Sequence, residues 1–128
     1  MTQRHHQMQF LLFCAISFFV LISSCVKVSA EVVNWTEVAK TNNEIQFIDL
    51  NSIKYNNSGL LSVITKNSEV DPEDQKIINT NSYLLAIDCE NRLFSKLRLN
   101  GEIKQVKNWI NPVDDKLIKK TIVNSCSY

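Results

Sequence analysis

The stretch SYLLAIDCE, residues 82–90, decides the fold because apolar residues recur at every second position. Alternate residues of a β-strand lie on the same face, so Tyr83, Leu85 and Ile87 share one apolar face. Cys89 continues this face, which places its thiol inward beside apolar neighbours. The pattern therefore predicts a half-buried strand with an inward cysteine at its end.

The segment that follows predicts two further strands. RLFSKLRL, residues 92–99, alternates between apolar and polar residues. Leu93, Leu97 and Leu99 are predicted to point inward, with Lys96 and Arg98 on the other side. Asn100-Gly101 is a strong hairpin signal, because both residues tolerate a positive φ. EIKQVKNW, residues 102–109, is then the returning strand.

After Pro112, the spacing of the apolar residues changes from that of a strand to that of a helix, so a helix is predicted there. Asp114 or Asp115 can cap its N-terminus. The apolar residues at helical spacing are Leu117, Ile118, Ile122 and Cys126. Cys126 thus shares the buried face of the helix, and a bond from it to Cys89 would hold the helix against the sheet.

The upstream segments are also β-like. Residues 34–40 predict a first strand, and residues 44–55 predict a second whose apolar phase changes, which indicates a bulge or bend. The turn cluster 56–59 and the apolar segment 60–66 complete a hairpin. Residues 67–81 are polar, contain a proline and predict a loop. The whole pattern predicts an α+β fold: one small domain with an antiparallel sheet packed against a C-terminal helix.

The N-terminal segment predicts export. Residues 10–22 are almost wholly apolar, as in the central region of a signal peptide, and are short for a bilayer span. The signal peptide is predicted to occupy residues 1–30, leaving a domain over 31–128. The alternative is a lipoprotein signal over residues 1–24, with Cys25 as the first mature residue.

Two cleavage sites compete in this segment. Ile22-Ser23-Ser24-Cys25 has the form of a lipobox, and Val28-Ser29-Ala30 has small residues where ordinary signal peptidase needs them. The segment Ser23–Ala30 is long for a cleavage region and contains Lys27. We therefore expect lipidation of Cys25, with cleavage after Ala30 as the alternative.

Cysteine usage fits an exported chain. Cys14 and Cys25 lie in the signal region, so Cys89 and Cys126 are the only cysteines of the body. An isolated pair in an oxidising compartment indicates a disulfide, which would stabilise the fold by roughly 4 kcal/mol in the chain-entropy model. Two buried free thiols are the alternative.

Charge and composition exclude several classes of function. The chain has 14 basic and 13 acidic residues, and without Arg4 and Lys27 the body has a net charge near −1. A nucleic-acid partner is not expected, because such a site needs a concentrated basic face. Both histidines, His5 and His6, lie in the signal region. We therefore predict no catalytic residues, no metal site and no cofactor, since the usual nitrogen ligands and general bases are missing.

The remaining polar candidates have ordinary structural roles. Asp49, Asp88 and Glu90 lie on or beside strands and are predicted to be solvated or to bond turns, rather than to form a carboxylate pair. The acidic stretch 69–74 offers oxygen ligands for calcium, but it lacks the EF-hand spacing and predicts a solvated turn. The tryptophans are either exposed binding anchors or core residues, and we expect the core. They are Trp35 and Trp109.

Four motifs carry a resemblance to a known family. They are W-x-x-V from Trp35, F-I-D-L-N-S-I from Phe47, Y-L-L-A-I-D-C from Tyr83, and N-W-I-N-P from Asn108 before a helix that ends in cysteine. Over about residues 34–126 the chain resembles the surface-adhesin protein E family. The resemblance implies an antiparallel sheet against a helix, with the two cysteines bridged. It also implies cell-surface display and binding of host matrix or serum proteins.

The expected function is therefore that of a non-enzymatic interaction module in the cell envelope or at its surface, binding a protein partner. The alternative is a periplasmic accessory or inhibitor domain that acts on a soluble partner. We expect contact with a membrane only through a lipid on Cys25. The sequence is compatible with either a monomer or a homodimer. If lipidated, the protein is expected at the outer membrane or cell surface; otherwise it is periplasmic or secreted.

Overall fold

The computed structural model describes residues 31–128, which form an antiparallel sheet of six strands and one C-terminal helix. The order in the sheet is β1-β2-β4-β5-β6, and β3 pairs with β4 off this path. The elements are β1 (Trp35–Lys40), β2 (Glu44–Asp49), β3 (Lys54–Tyr55), β4 (Leu61–Val70), β5 (Ile77–Asp88), β6 (Leu93–Leu97) and α1 (Lys116–Ser125). The predicted α+β fold is confirmed. The signal-peptide prediction and Cys25 lie outside the described residues.

The helix packs on one face of the sheet, and the core lies between them. Its apolar stripe is the predicted one, since Leu117, Ile118 and Ile122 are all buried. The main core cluster consists of Ile48, Leu61, Val63, Leu85, Ile87, Phe94, Ile118 and Ile122. Burying side chains of this size supplies most of the folding free energy of a small domain.

The disulfide is present between Cys89 and Cys126, which are 37 residues apart in the sequence. Cys89 follows β5 directly and Cys126 follows α1, so the bond joins the end of β5 to the end of the helix. Both residues pack against the core cluster. The prediction of a disulfide is confirmed, and so is the inward direction of Cys89.

The predicted bend within residues 44–55 is confirmed. β2 ends at Asp49 and a 3₁₀ helix, Leu50–Ser52, leads into β3, so that both strands pair with β4. The carboxylate of Asp49 accepts hydrogen bonds from the backbone N–H of Asn34 at 2.8 Å and of Asn51 at 3.1 Å. Asp49 therefore caps the 3₁₀ helix that makes the bend and ties it to the residue before β1.

The predicted loop at 67–81 was wrong. β4 continues to Val70 and β5 begins at Ile77, so only residues 71–76 form the turn of a long hairpin. The strands remain in register up to Glu69 and Asn79. β4 still pairs with β2 as far as Glu69, but β5 has no neighbour on its other side here, since β6 pairs with β5 only from Leu84 onward. Residues 77–82 of β5 are therefore exposed, and their polar sequence resembles that of a loop.

The inward face of β6 also differs from the prediction. Phe94 is 6% exposed and lies in the core, whereas Leu99 is 52% exposed. The cause is the length of the connection, because the four residues 89–92 between the strands place Phe94 opposite Ile87. Directly opposed residues lie on the same face of a sheet, so Phe94 joins the core face of β5.

The predicted strand at 102–109 was wrong as well. Residues Ile103–Gln105 form a 3₁₀ helix, in which the side chains of Glu102 and Gln105 bond each other's backbone N–H groups. Gly101 N–H donates to the carbonyl of Arg98 at 2.7 Å, so the turn closes before Asn100-Gly101 can join two strands. The chain returns to the sheet at one bridge, Ile110 to Phe94.

The helix begins at an aspartate cap, as predicted. The Asp115 carboxylate accepts a hydrogen bond from the N–H of Ile118 at 2.9 Å, while Asp114 is exposed. We expect Asp115→Ala to lower the free energy of unfolding by about 1 kcal/mol, because an N–H of the first turn loses its acceptor. Urea denaturation measures the change. Asp114→Ala is the matched control and should change stability by less than about 0.5 kcal/mol; equal losses in the two variants would contradict the assignment.

Candidate functional site

A cleft lies between α1 and the turn that joins β5 to β6. It has a volume of about 370 Å³, and the segment that leads from the Ile110 bridge to the helix contributes to its lining. We call it the cationic cleft, and its principal lining residues are Arg92, Pro112, Lys119, Lys120, Ile122 and Val123. Asn111 and Asn124 complete the lining.

The helix supplies both the floor and one rim of the cationic cleft. Ile122 is 3% exposed and forms part of the core, whereas its neighbour Val123 is 53% exposed and apolar. Lys119 and Lys120 lie one turn earlier and are exposed. Residues three and four apart are neighbours on a helix surface, so the lysines lie beside Ile122 and Val123. Positive charge and apolar surface therefore meet within one helical turn.

Arg92 brings the third positive charge from the opposite side. It lies at the end of the turn 89–92 with a φ of 55°, the left-handed region that costs a non-glycine residue energy. Asp88 holds this turn, since its carboxylate accepts hydrogen bonds from the backbone N–H of Asn91 at 3.0 Å and from its side-chain amide at 2.8 Å. The position of Arg92 thus depends on the Asp88–Asn91 contact.

The Asp88–Asn91 contact also lowers the pKa of the Asp88 carboxyl, which makes stability depend on pH. The hydrogen bonds from Asn91, first from its side chain and then from its backbone, hold the pKa of the Asp88 carboxyl below its ordinary value. A lowered folded-state pKa contributes stability above the unfolded value of about 4, and that stability is lost as the pH falls through the folded value. We expect an NMR titration of Asp88 to show the lowered midpoint and Asn91→Ala to raise it. An unchanged midpoint in the variant would contradict this cause.

Among the described residues, no cation of the cleft forms an ion pair with a carboxylate. Within residues 31–128, the ion pairs join Lys76 to Asp74 at 2.7 Å and Lys104 to Glu102 at 2.6 Å, and neither pair lies in the cleft. The lining residues include no aspartate or glutamate. The cationic cleft therefore combines a positive rim with an apolar floor, which suits a ligand that is both anionic and apolar.

A smaller cavity of about 210 Å³ shares Arg92, Ile122 and Val123 with the cationic cleft. Its other lining residues include both bonded cysteines. The disulfide is therefore part of the wall on this side. Because it joins the end of α1 to the end of β5, it also holds the helix rim of the cleft beside the strand that leads into the turn of Arg92.

The carboxylates singled out from the sequence do not come together. Asp49 is buried at the bend after β2, Asp88 bonds Asn91, and Glu90 is exposed. In the stretch 69–74, the Asp71 carboxylate accepts from the N–H of Glu73 at 2.8 Å, as in a tight turn. Across the part of the chain that the structure describes, no group of three or more histidine, cysteine, aspartate or glutamate residues could hold a metal ion.

The expectation that both tryptophans lie in the core was wrong. Trp35 and Trp109 are half-buried, and neither belongs to the main core cluster. Trp35 lies on the sheet face opposite the helix, where the Lys66 ammonium is 4.5 Å from its ring centre and 4.7 Å from that of Phe47. This arrangement is a cation–π stack, in which the lysine covers the aromatic surfaces.

Sequence reasoning missed the cationic cleft. Lys119 and Lys120 fit the pattern of a solvent-exposed helix face, and Arg92 fits that of a strand. The three residues come together only when the turn 89–92 lies beside α1. The useful signal was the cysteine pair, since Cys89 is three residues before Arg92 and Cys126 is within two helical turns of both lysines.

Within residues 31–128, α1 is too short to cross a bilayer, and no other helix is both long and apolar enough. No curated protein and no solved structure matches the chain. The model of the surface adhesin-E family matches residues 36–128, which include almost the whole sheet, the helix and both bonded cysteines. On this match, the chain belongs to the surface adhesin-E family.

Proposed function

We propose that this protein is a non-enzymatic module displayed at the bacterial cell surface, where it binds a protein partner. Membership of the surface adhesin-E family indicates a surface adhesin role, and the match over residues 36–128 is the observation that carries the proposal. The cationic cleft supports it, because a positive rim beside exposed apolar surface suits recognition of another protein. Host matrix and serum proteins are the partner class that the family resemblance implies.

The proposed anchor is a lipid on Cys25. Trp35, the first residue of β1, follows Cys25 after a tether of about nine residues, which would keep the domain near the bilayer. The acyl chains of a bacterial lipoprotein anchor stably, whereas one chain alone binds only marginally. We expect Cys25→Ser to release the protein into the soluble fraction or to block its processing. A wild-type protein that is already soluble and begins at Glu31 would show secretion after Ala30 instead.

Display is tested by adding protease to intact cells. A surface protein should be degraded while a periplasmic marker stays intact. The matched control is the same treatment after the outer membrane has been opened, when both proteins should be degraded. Protection in intact cells would overturn display and favour the alternative, a periplasmic accessory or inhibitor domain with a soluble partner.

Partner binding is tested with the processed protein immobilised and exposed separately to serum and to solubilised matrix proteins. We expect saturable capture of at least one protein, with a dissociation constant measured on the purified partner. A reduced and alkylated sample is the control for an intact fold. Light scattering on the same preparation measures homodimer formation. Absence of saturable capture from either source would overturn binding to this partner class.

A further inference from the structure

The cationic cleft indicates what part of a partner it binds. We propose that it receives an acidic segment of the protein partner, with one apolar side chain of that segment in the cavity. This inference rests on the proposed function, because it specifies the contact that a protein-binding module makes.

The size and lining of the cleft suit a side chain rather than a flat surface. Its volume of about 370 Å³ lies within the range of sites that enclose a small ligand. Pro112 and Ile122 are buried beneath it, and Val123 leaves more than half of its surface exposed. An apolar side chain placed there removes both its own surface and that of Val123 from water, which favours binding.

The charges specify what flanks this apolar side chain. Arg92 lies on the turn side of the cleft, and Lys119 and Lys120 lie on the helix side. Carboxylates on both sides of an apolar residue can therefore reach a cation at each rim. They would also relieve the repulsion between the neighbouring lysines. Ionised hydrogen bonds of this kind are stronger than neutral ones, and guanidinium can hold a carboxylate with two of its N–H groups.

Other anionic partners fit the cleft less well. Nucleic acids and anionic bilayers present many phosphates over a wide area, and proteins bind them through broad basic surfaces. Here residues 31–128 carry 12 basic and 13 acidic residues, so the positive charge is local. It surrounds a concave apolar cavity. The complementary ligand is therefore a short segment with an apolar centre and acidic flanks.

The cleft is also rigid where binding needs it to be. The disulfide ties the helix rim to the strand that leads into the turn of Arg92. Asp88 and Asn91 hold that turn through two hydrogen bonds. A site whose rims are fixed before binding loses less conformational entropy when the ligand arrives.

The test uses an acetylated six-residue peptide in which tryptophan and leucine lie between two pairs of glutamates. NMR titration of the processed, disulfide-bonded protein should show saturable shifts around Arg92, Lys119 and Val123. The double variant Lys119→Glu/Lys120→Glu should bind about ten-fold more weakly, since each reversal replaces an attraction with a repulsion. Lys54→Glu/Lys107→Glu is the matched control, with the same charge change at exposed lysines outside the cleft.

Two further peptides separate the contribution of charge to binding from that of apolar contact. Replacing the glutamates by lysines should abolish the shifts, and replacing tryptophan and leucine by serines should weaken them several-fold. Lys119→Gln/Lys120→Gln, which only neutralises the charges, is the second variant and should give an intermediate affinity. The proposal is overturned if no shifts occur up to millimolar peptide, if the lysine peptide binds equally well, or if the cleft variant and the control behave alike.

A captured partner distinguishes this inference from the proposed function. If the wild-type protein and the Lys119→Glu/Lys120→Glu variant capture that partner equally, the module binds it elsewhere and the cleft assignment is wrong. If the wild-type protein captures no partner, the proposed function fails, whatever the peptide does. A partner lost only in the cleft variant supports both.

Discussion

Reducing the Cys89–Cys126 bond should destabilise the domain more than most single substitutions. The bond closes a loop between residues 37 apart. In the chain-entropy model, opening a loop of this length lowers the free energy of unfolding by about 4 kcal/mol, because the unfolded chain regains freedom. A domain of this size should then melt roughly 15–30 °C lower. Urea denaturation and thermal melts of the oxidised and reduced protein measure both quantities.

Reduction of the disulfide should first affect the residues next to it. Cys126 ends the helix, so the last turn of α1 and the turn 89–92 should lose amide-exchange protection before the centre of the sheet does. Cys89→Ala/Cys126→Ala is the companion variant, since it removes the bond without a reductant. A melting temperature that is the same with and without the bond would show that the disulfide does not stabilise the fold.

Phe94→Ala should be the most damaging of the substitutions in β6. Phe94 belongs to the main core cluster and lies opposite Ile87. Truncating a buried phenylalanine removes its packing and leaves a cavity, which costs about 3–5 kcal/mol. Urea denaturation measures the loss, provided that the slope with denaturant stays the same.

Leu99→Ala is the matched control for this prediction. The sequence pattern places Leu99 inward, whereas the structure leaves 52% of it exposed. Its truncation should cost less than about 0.5 kcal/mol. The two variants therefore decide between the sequence-based face of β6 and the observed one. A larger loss for Leu99→Ala than for Phe94→Ala would reverse the assignment.

Local apolar spacing predicted the elements that lie at the centre of the fold. The alternation through Leu85 and Ile87 predicted β5, and the helical spacing of Ile118 and Ile122 predicted α1. Both patterns survive in the structure because these residues face the core, where burial selects apolar side chains.

Three other features depend on contacts that local spacing does not reveal. The tip of the β4–β5 hairpin lies in solvent, so its polar sequence looks like that of a loop. The face of β6 depends on the length of the turn before it. The segment after Gly101 has strand-like residues, but a turn at Arg98 and the paired side chains of Glu102 and Gln105 direct it away from the sheet.

The cationic cleft was unpredictable for the same reason. Each of its cations is unremarkable within its own element, and the site exists only where two elements meet. Even the correct disulfide prediction did not reveal it, because the bond places Cys89 and Cys126 together without fixing the conformation of the turn that carries Arg92.

The disulfide also makes residues 89–126 a covalent ring, which contains β6 and α1. A protease that cuts once within this ring, for instance in the exposed part of residues 98–108, produces two chains that remain joined. Such a nicked molecule runs as one species without reductant and as two with it. One cut there would detach neither the helix nor the strands, so at a cell surface, where we propose that the protein is displayed, the folded domain would persist after the backbone is broken.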